Sequence, residues 1–205
     1  MIIALTAAET IPSEIGIINA LFKEGLDILH LRKYHFTDLQ MSRYVESIDS
    51  TYLDRLVLHS HPHLSAELGI ARIHMNEKNR KDRSTNQMLP TAICSTSVHD
   101  IDQFNSLDEC WAYAFLSPLF PSISKVGYGV HNARLDQLPS RSNFTVGLIG
   151  LGGINQGNCL IPMQQGADGI ALYGTLWKHP DPVQNFIACK QKLWKNSNIY
   201  RRDKH

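Results

Sequence analysis

Short apolar runs alternate with amphipathic segments along the whole chain. A strand buried on both faces of a parallel sheet reads as such a run, and the helix after it repeats apolar residues every three or four positions. The runs Ile2–Leu5, Ile28–Leu31, Arg55–Leu58, Arg72–His74, Thr91–Ser95, Trp111–Leu116, Thr145–Gly150 and Gly169–Leu172 predict eight strands. After the first, Ile15, Ile18, Leu21 and Phe22 fall on one helical face, and Gly25 supplies a left-handed stop. The second helix opens on Thr37-x-x-Gln40, a capping box, and lines up Met41, Tyr44, Val45 and Ile48. A short helix is predicted around Leu64–Leu68, and Pro162 shortens or kinks the one after the seventh strand. The last helix starts near Asp181-Pro182 and buries Val183, Phe186, Ile187, Leu193 and Trp194.

This alternation predicts an α/β protein, a small (β/α)8 TIM barrel forming a single domain over residues 1–194, with a frayed, polar, basic tail at 195–205. An open doubly wound sheet is the competing arrangement. Both place an active site at the carboxyl ends of the strands, so the polar residues there carry the functional argument.

Composition narrows the classes. With 20 Lys+Arg against 19 Asp+Glu, no charge excess points to nucleic acid or an anionic membrane. No apolar run reaches the roughly 20 residues that span a bilayer, and the first residues lack the basic region of a secretory signal. Cys94, Cys110, Cys159 and Cys189 are widely spaced, which argues against a zinc site or disulfide framework. The expectation is a cytoplasmic protein with a small-molecule ligand.

At the strand ends, the stretch Gly150–Gly174 delivers Gly152-Gly153 and Gly174-Thr175 from neighbouring strands. Glycine permits close backbone approach, and exposed N–H groups where a helix begins attract an anion. A phosphate cradle of Gly152, Gly153, Gly174 and Thr175 is therefore expected, with a bulkier residue at Gly153 weakening phosphate binding more than stability. The alternative is two ordinary turns. His30 and Arg32 share a face at the end of the second strand, and an arginine there suits phosphate or carboxylate. His59, His61, His63 and His74 invite a metal, but no carboxylate or cysteine lies beside them and Pro62 interrupts the alternation, so no metal site is expected. Ser97 and His99 share a face after the fifth strand, where a histidine can move protons. The loop after the sixth carries Ser122, Ser124 and Lys125 with Gly127 and Gly129, suited to closing over an anion.

Taken in order, His30-Leu31-Arg32, Ile73-His74, Ser97-Val98-His99, Ser117-Pro118-Leu119-Phe120-Pro121-Ser122-x-Ser124-Lys125, Gly152-Gly153-Ile154 and Gly166-Ala167-Asp168-Gly169 resemble the thiamine phosphate synthase/TenI family of small barrels. The synthase branch joins an aminopyrimidine methyl diphosphate to a thiazole phosphate, releasing diphosphate with Mg²⁺. The resemblance departs at the Mg²⁺ ligands. Where the synthase has Asn-Asp after the third strand, this chain has His59-Ser60, and its Gly-Gln-x-Asp becomes Asn76-Glu77-Lys78-Asn79. Tyr34 replaces a lysine, Gly174 a serine, and Lys33 and Glu77 stand one position from lost groups.

The TenI branch lacks those carboxylates and tautomerises a carboxythiazole phosphate without metal or diphosphate. The resemblance therefore implies a thiazole tautomerase in which His99 moves the proton, with Lys125 as the second catalytic group. His30, Arg32, His74, Ser97, Ser122 and Ser124 would contact substrate. Two alternatives stand beside it: a divergent Mg²⁺-dependent synthase, and a non-catalytic thiazole-phosphate binding or regulatory protein. The family also suggests a homo-oligomer, although Leu172, Tyr173 and Trp177 could equally be core.

Overall fold

The computed structural model describes residues 1–81, 92–121 and 133–202. Eight parallel strands close on themselves in sequence order, β1 (Ile2–Leu5), β2 (Ile28–Leu31), β3 (Leu56–Leu58), β4 (Arg72–Met75), β5 (Ile93–Val98), β6 (Trp111–Leu116), β7 (Gly147–Leu151) and β8 (Gly169–Leu172). The closed barrel rather than the open sheet is thus the architecture. Around it lie α1 (Glu14–Lys23), α2 (Asp38–Glu46), α3 (Ser65–Leu68), α4 (Glu77–Lys81), α5 (Ile101–Asn105), α6 (Leu160–Gln164), α7 (Gly174–Trp177) and α8 (Pro182–Arg202). A 3-10 turn, Leu135–Ser140, stands between β6 and β7 where a full helix would otherwise pack.

Strand alternation sorts the apolar residues into two cores. Ile3, Leu5, Ile28, Val57, Tyr113, Phe115, Ile149 and Ala171 fill the barrel, while Ala4, Leu29, Leu31, Leu58, Ile73 and Leu172 face the helices. The predicted helix signals hold. Thr37 Oγ1 accepts from Gln40 N–H, and Gln40 Oε1 accepts from Thr37 N–H at 2.8 Å. Gly25 turns at φ 90°, and Pro162 sits in the five-residue α6.

Three expectations need correction. The fifth strand runs to Val98 rather than stopping at Ser95, because its last residues pair with Ala114–Leu116 of β6. Trp194 is exposed: Phe186 and Cys189 cover the barrel, and the helical turn carries Trp194 outward. The segment expected to be a frayed tail from residue 195 remains helical through Arg202.

The seam between first and last strands is tied at both ends. Ile2, Ile3 and Ala4 pair with Ile170, Ala171 and Leu172, and Trp177 Nε1–H donates to the Leu5 carbonyl at 2.7 Å. Asp168 of the Gly-Ala-Asp-Gly motif lies at the opposite end from the strand tips. Its Oδ2 accepts from Leu148 N–H and from Arg141 Nη2, so it is a strut between β7 and β8.

Lys33, just past β2, turns outward from the barrel and is fully buried. Its Nζ donates to both carboxylate oxygens of Glu14, at 2.7 and 3.0 Å, and to the Glu9 carbonyl at 2.8 Å. Removing one member of a buried pair strands the other charge, at a cost of about 3–5 kcal/mol. Glu14→Ala should therefore lower unfolding free energy by about that amount in urea titration, and Glu14→Ala/Lys33→Met should recover a large part of it.

Candidate functional site

The ends of β2 to β5 form a rim whose inward residues are polar. From β2, His30 enters the barrel and is completely buried. Its Nε2 lies 2.6 Å from Tyr113 Oη and its Nδ1 3.1 Å from His59 Nδ1. Parallel register carries His59 to the level of His74, since Leu58 pairs with Ile73. Their rings stack with centroids 4.0 Å apart. His74 Nδ1 lies 3.0 Å from Ser95 Oγ, and its Nε2 3.0 Å from Ser97 Oγ.

All three imidazoles are held neutral. Burial lowers His30 well below the ordinary histidine range, with His74 adding to it. Burial does the same to His59, followed by the charges of His74, His30 and Arg32. For His74, burial and then the Arg32 guanidinium bring the value down to about 3. Burial raises Tyr113 to about 12.

Arg32 stands above this layer at the mouth, its guanidinium 5.5 Å from the ring centres of both Tyr34 and Tyr173. Stacking between two aromatic faces fixes the planar fork where an anion could meet it. A cavity of about 240 Å³ opens beside it, lined by Tyr34, His59, His61, His74, Asn76 and Asn79 among others. A larger one, about 460 Å³, lies at the opposite end of the barrel near Ile2, Asp27 and Lys190, away from the strand tips.

His99 follows β5 and is half-exposed. Its Nδ1 lies 3.0 Å from the Ser117 carbonyl. A carbonyl can only accept, so Nδ1 carries the hydrogen, and the neutral ring offers its Nε2 lone pair. Glu77 Oε2 faces that nitrogen at 3.9 Å.

The glycine turns look different from their expected form. Gly152 and Gly153 have φ of 100° and 65°, which only glycine adopts readily. A Cβ on Gly153 would strike the Pro121 carbonyl oxygen and come within 2.7 Å of Phe120 Cβ. The turn is bonded to this same segment, Leu119 N–H to the Leu151 carbonyl and Phe120 N–H to the Gly152 carbonyl. The expectation that substitution at Gly153 acts mainly on phosphate is thus corrected: the side chain would meet protein first. Thr175 also turns its hydroxyl away, accepting from Asn185 Nδ2 at 3.0 Å, so only its backbone can serve an anion.

Of the other sequence-predicted residues, His74 lines the 240 Å³ cavity and bonds to Ser97, Arg32 stands near His74 and His99 follows β5, while Ser122, Ser124 and Lys125 lie outside the described residues. His30 needs correction as a substrate contact, since it is buried and both ring nitrogens meet protein groups. Lys33 is unavailable to a ligand for the same kind of reason. Tyr113 and Ser95, which organise the histidines, were missed. Their signal was alternation, because Tyr113 and Phe115 occupy the same face of β6.

Where the resemblance would put Mg²⁺ carboxylates, this chain carries Ser60 and Asn76, with Glu77 next in sequence. Mg²⁺ takes hard oxygen donors in near-octahedral geometry. Here the third and fourth strands present imidazoles, Ser60 Oγ accepts from Lys33 N–H, and Asn76 Oδ1 accepts from Asn79 N–H.

Residues 3–176 match the family model described as thiamine monophosphate synthase. Thiamine-phosphate synthase of Listeria monocytogenes is 24% identical over 188 residues, covering 84% of each chain. That of Bacillus licheniformis is 23% identical over 154 residues, covering 74% of this chain and 69% of its own. Among solved structures, thiamine phosphate pyrophosphorylase from Bacteroides thetaiotaomicron superposes with a TM-score of 0.73 at 27% identity, covering 93% of this chain and 95% of that one. The Pyrococcus furiosus protein of that name gives 0.80 at 13% identity, covering 95% of each, a likeness of fold.

Gly153→Ala should cost about 2–4 kcal/mol, from the left-handed conformation together with the collision. Gly166→Ala, also at positive φ but with open space around it, should cost about 1–2 kcal/mol. Thermal melts of the two variants check the difference.

Proposed function

The chain belongs to the thiamine phosphate synthase/TenI family, and we propose that within it the protein is a thiazole tautomerase of the TenI kind, acting on a carboxythiazole phosphate. The observation that carries this reading is the state of His99. Its Nδ1 hydrogen is committed to the Ser117 carbonyl, so Nε2 is the atom that takes and returns a proton. A proton leaves one ring carbon for Nε2 and is delivered at a second position, and the ring becomes aromatic with no net gain or loss of atoms.

The other parts follow from the mouth. Backbone N–H groups of Gly152, Gly153, Gly174 and Thr175 hold the phosphate, at the tips of neighbouring strands β7 and β8. Arg32, clamped between Tyr34 and Tyr173, meets the carboxylate, and Ser97 and His74 border the ring.

A Mg²⁺-dependent synthase is the second reading, favoured by the names of the relatives. Against it stand the histidines in place of oxygen ligands and the burial of Lys33 against Glu14. One pair of assays separates the two. The purified protein should aromatise the thiazole substrate without added metal, and His99→Ala should slow this about 10²–10⁴-fold with melting temperature retained. Diphosphate release from the pyrimidine and thiazole substrates in Mg²⁺ would establish the synthase instead. Calorimetric binding of thiazole phosphate with neither turnover would mark a binding protein.

A further inference from the structure

We propose that His30, His59 and His74 form a binding site for a divalent transition-metal ion, Zn²⁺ above all, with an open coordination position toward the cavity. This stands apart from the tautomerase reading and does not depend on it. One nitrogen from each ring lies within 4.8 Å of the others. His30 Nδ1 and His59 Nδ1, 3.1 Å apart, now share one hydrogen bond, so His59 must turn or change tautomer before both nitrogens can face an ion.

The surrounding bonds set the tautomers that such an ion requires. Ser95 Oγ–H donates to the Ile73 carbonyl at 3.3 Å, so its oxygen accepts from His74 Nδ1–H. That leaves the lone pair of His74 on Nε2, where it meets the Ser97 hydroxyl at 3.0 Å, a bond an ion would displace. Were Tyr113 Oη to accept from His30 Nε2–H across their 2.6 Å contact, the His30 lone pair would lie on Nδ1, the atom facing His59. Metal-binding histidines characteristically donate their second nitrogen to a fixed partner, as His74 does to Ser95.

His59, on the loop after β3 and less buried than the other two, is the ring that rotates to close the site. It breaks its stack on His74 to do so. The 240 Å³ cavity touching His59 and His74 provides entry and room for a fourth ligand. Three histidines with one open position is the donor set of a reactive zinc rather than a structural one. Arg32 is the neighbouring cation, and an anionic fourth ligand from the cavity offsets its charge.

The test is metal binding by the whole chain. Protein stripped with chelator and titrated with Zn²⁺ should take up one equivalent, and Co²⁺ should give the intense visible absorption of a four-coordinate ion. His59→Gln and His74→Gln should each weaken Zn²⁺ at least about 100-fold, and Tyr113→Phe about 10–100-fold. His63→Gln, an exposed neighbour bonded to Asp38, should leave affinity unchanged. Zn²⁺ should raise the melting temperature of the unaltered protein and not that of His59→Gln. Failure of the unaltered chain to bind micromolar Zn²⁺ overturns the proposal, as does binding unaffected by His59→Gln. Should both glutamine variants fail to fold, the Co²⁺ spectrum of the unaltered chain decides, a weak six-coordinate band overturning the site.

Discussion

A closed barrel has no edge and no solvent in its middle, so every residue turned inward beneath the rim must find its partners among the others. Lower down, Ile3, Ile28, Val57 and Ile149 meet that demand with apolar packing. Near the rim the chain places His30, His74, Tyr113, Ser95 and Ser97 instead. An unpartnered polar group there would cost about 1–3 kcal/mol. The hydrogen bonds among these residues are consequently a condition of folding before they are features of a site. They fix ring orientations, tautomers and charge states, and the cavity above inherits them.

The same accounting governs the outward face of β2. Lys33 sits one residue beyond Arg32, and alternation sends the two in opposite directions. Arg32 reaches the mouth and is steadied by two tyrosine rings, while Lys33 enters the space beneath α1 and is neutralised by Glu14. Two adjacent cations thus end with unrelated tasks, one available to ligand and one committed to the scaffold.

Much of the architecture was legible because it rests on local pattern. Strand alternation, the Thr37–Gln40 cap, Gly25 and Pro162 act over a few residues, and each behaves as its neighbours dictate. The site was harder to read where it depends on register across strands. His30, His59 and His74 come together only because β2, β3 and β4 are adjacent and offset as they are, whereas spacing along the chain grouped His59, His61, His63 and His74 and left His30 out. Gly153 was misread for a related reason. Its left-handed conformation was foreseeable, but the body pressed against it, Phe120–Pro121, arrives from another strand. Trp194 shows the limit of periodicity, since a helix wider in apolar pattern than its contact surface leaves some of that pattern in water.

The seam between β1 and β8 has a consequence for how this chain is made. During synthesis β1 emerges first and soon gains β2, yet its other edge faces open solution until residues 169–172 have left the ribosome. The barrel cannot close progressively; its final act joins segments more than 160 residues apart, and Trp177 then latches onto Leu5. Until that moment the nascent sheet carries an unsatisfied strand edge and an uncovered apolar interior, the features that recruit chaperones or unwanted neighbours. The longer the wait for the last strand, the longer that edge and interior stay open to other chains.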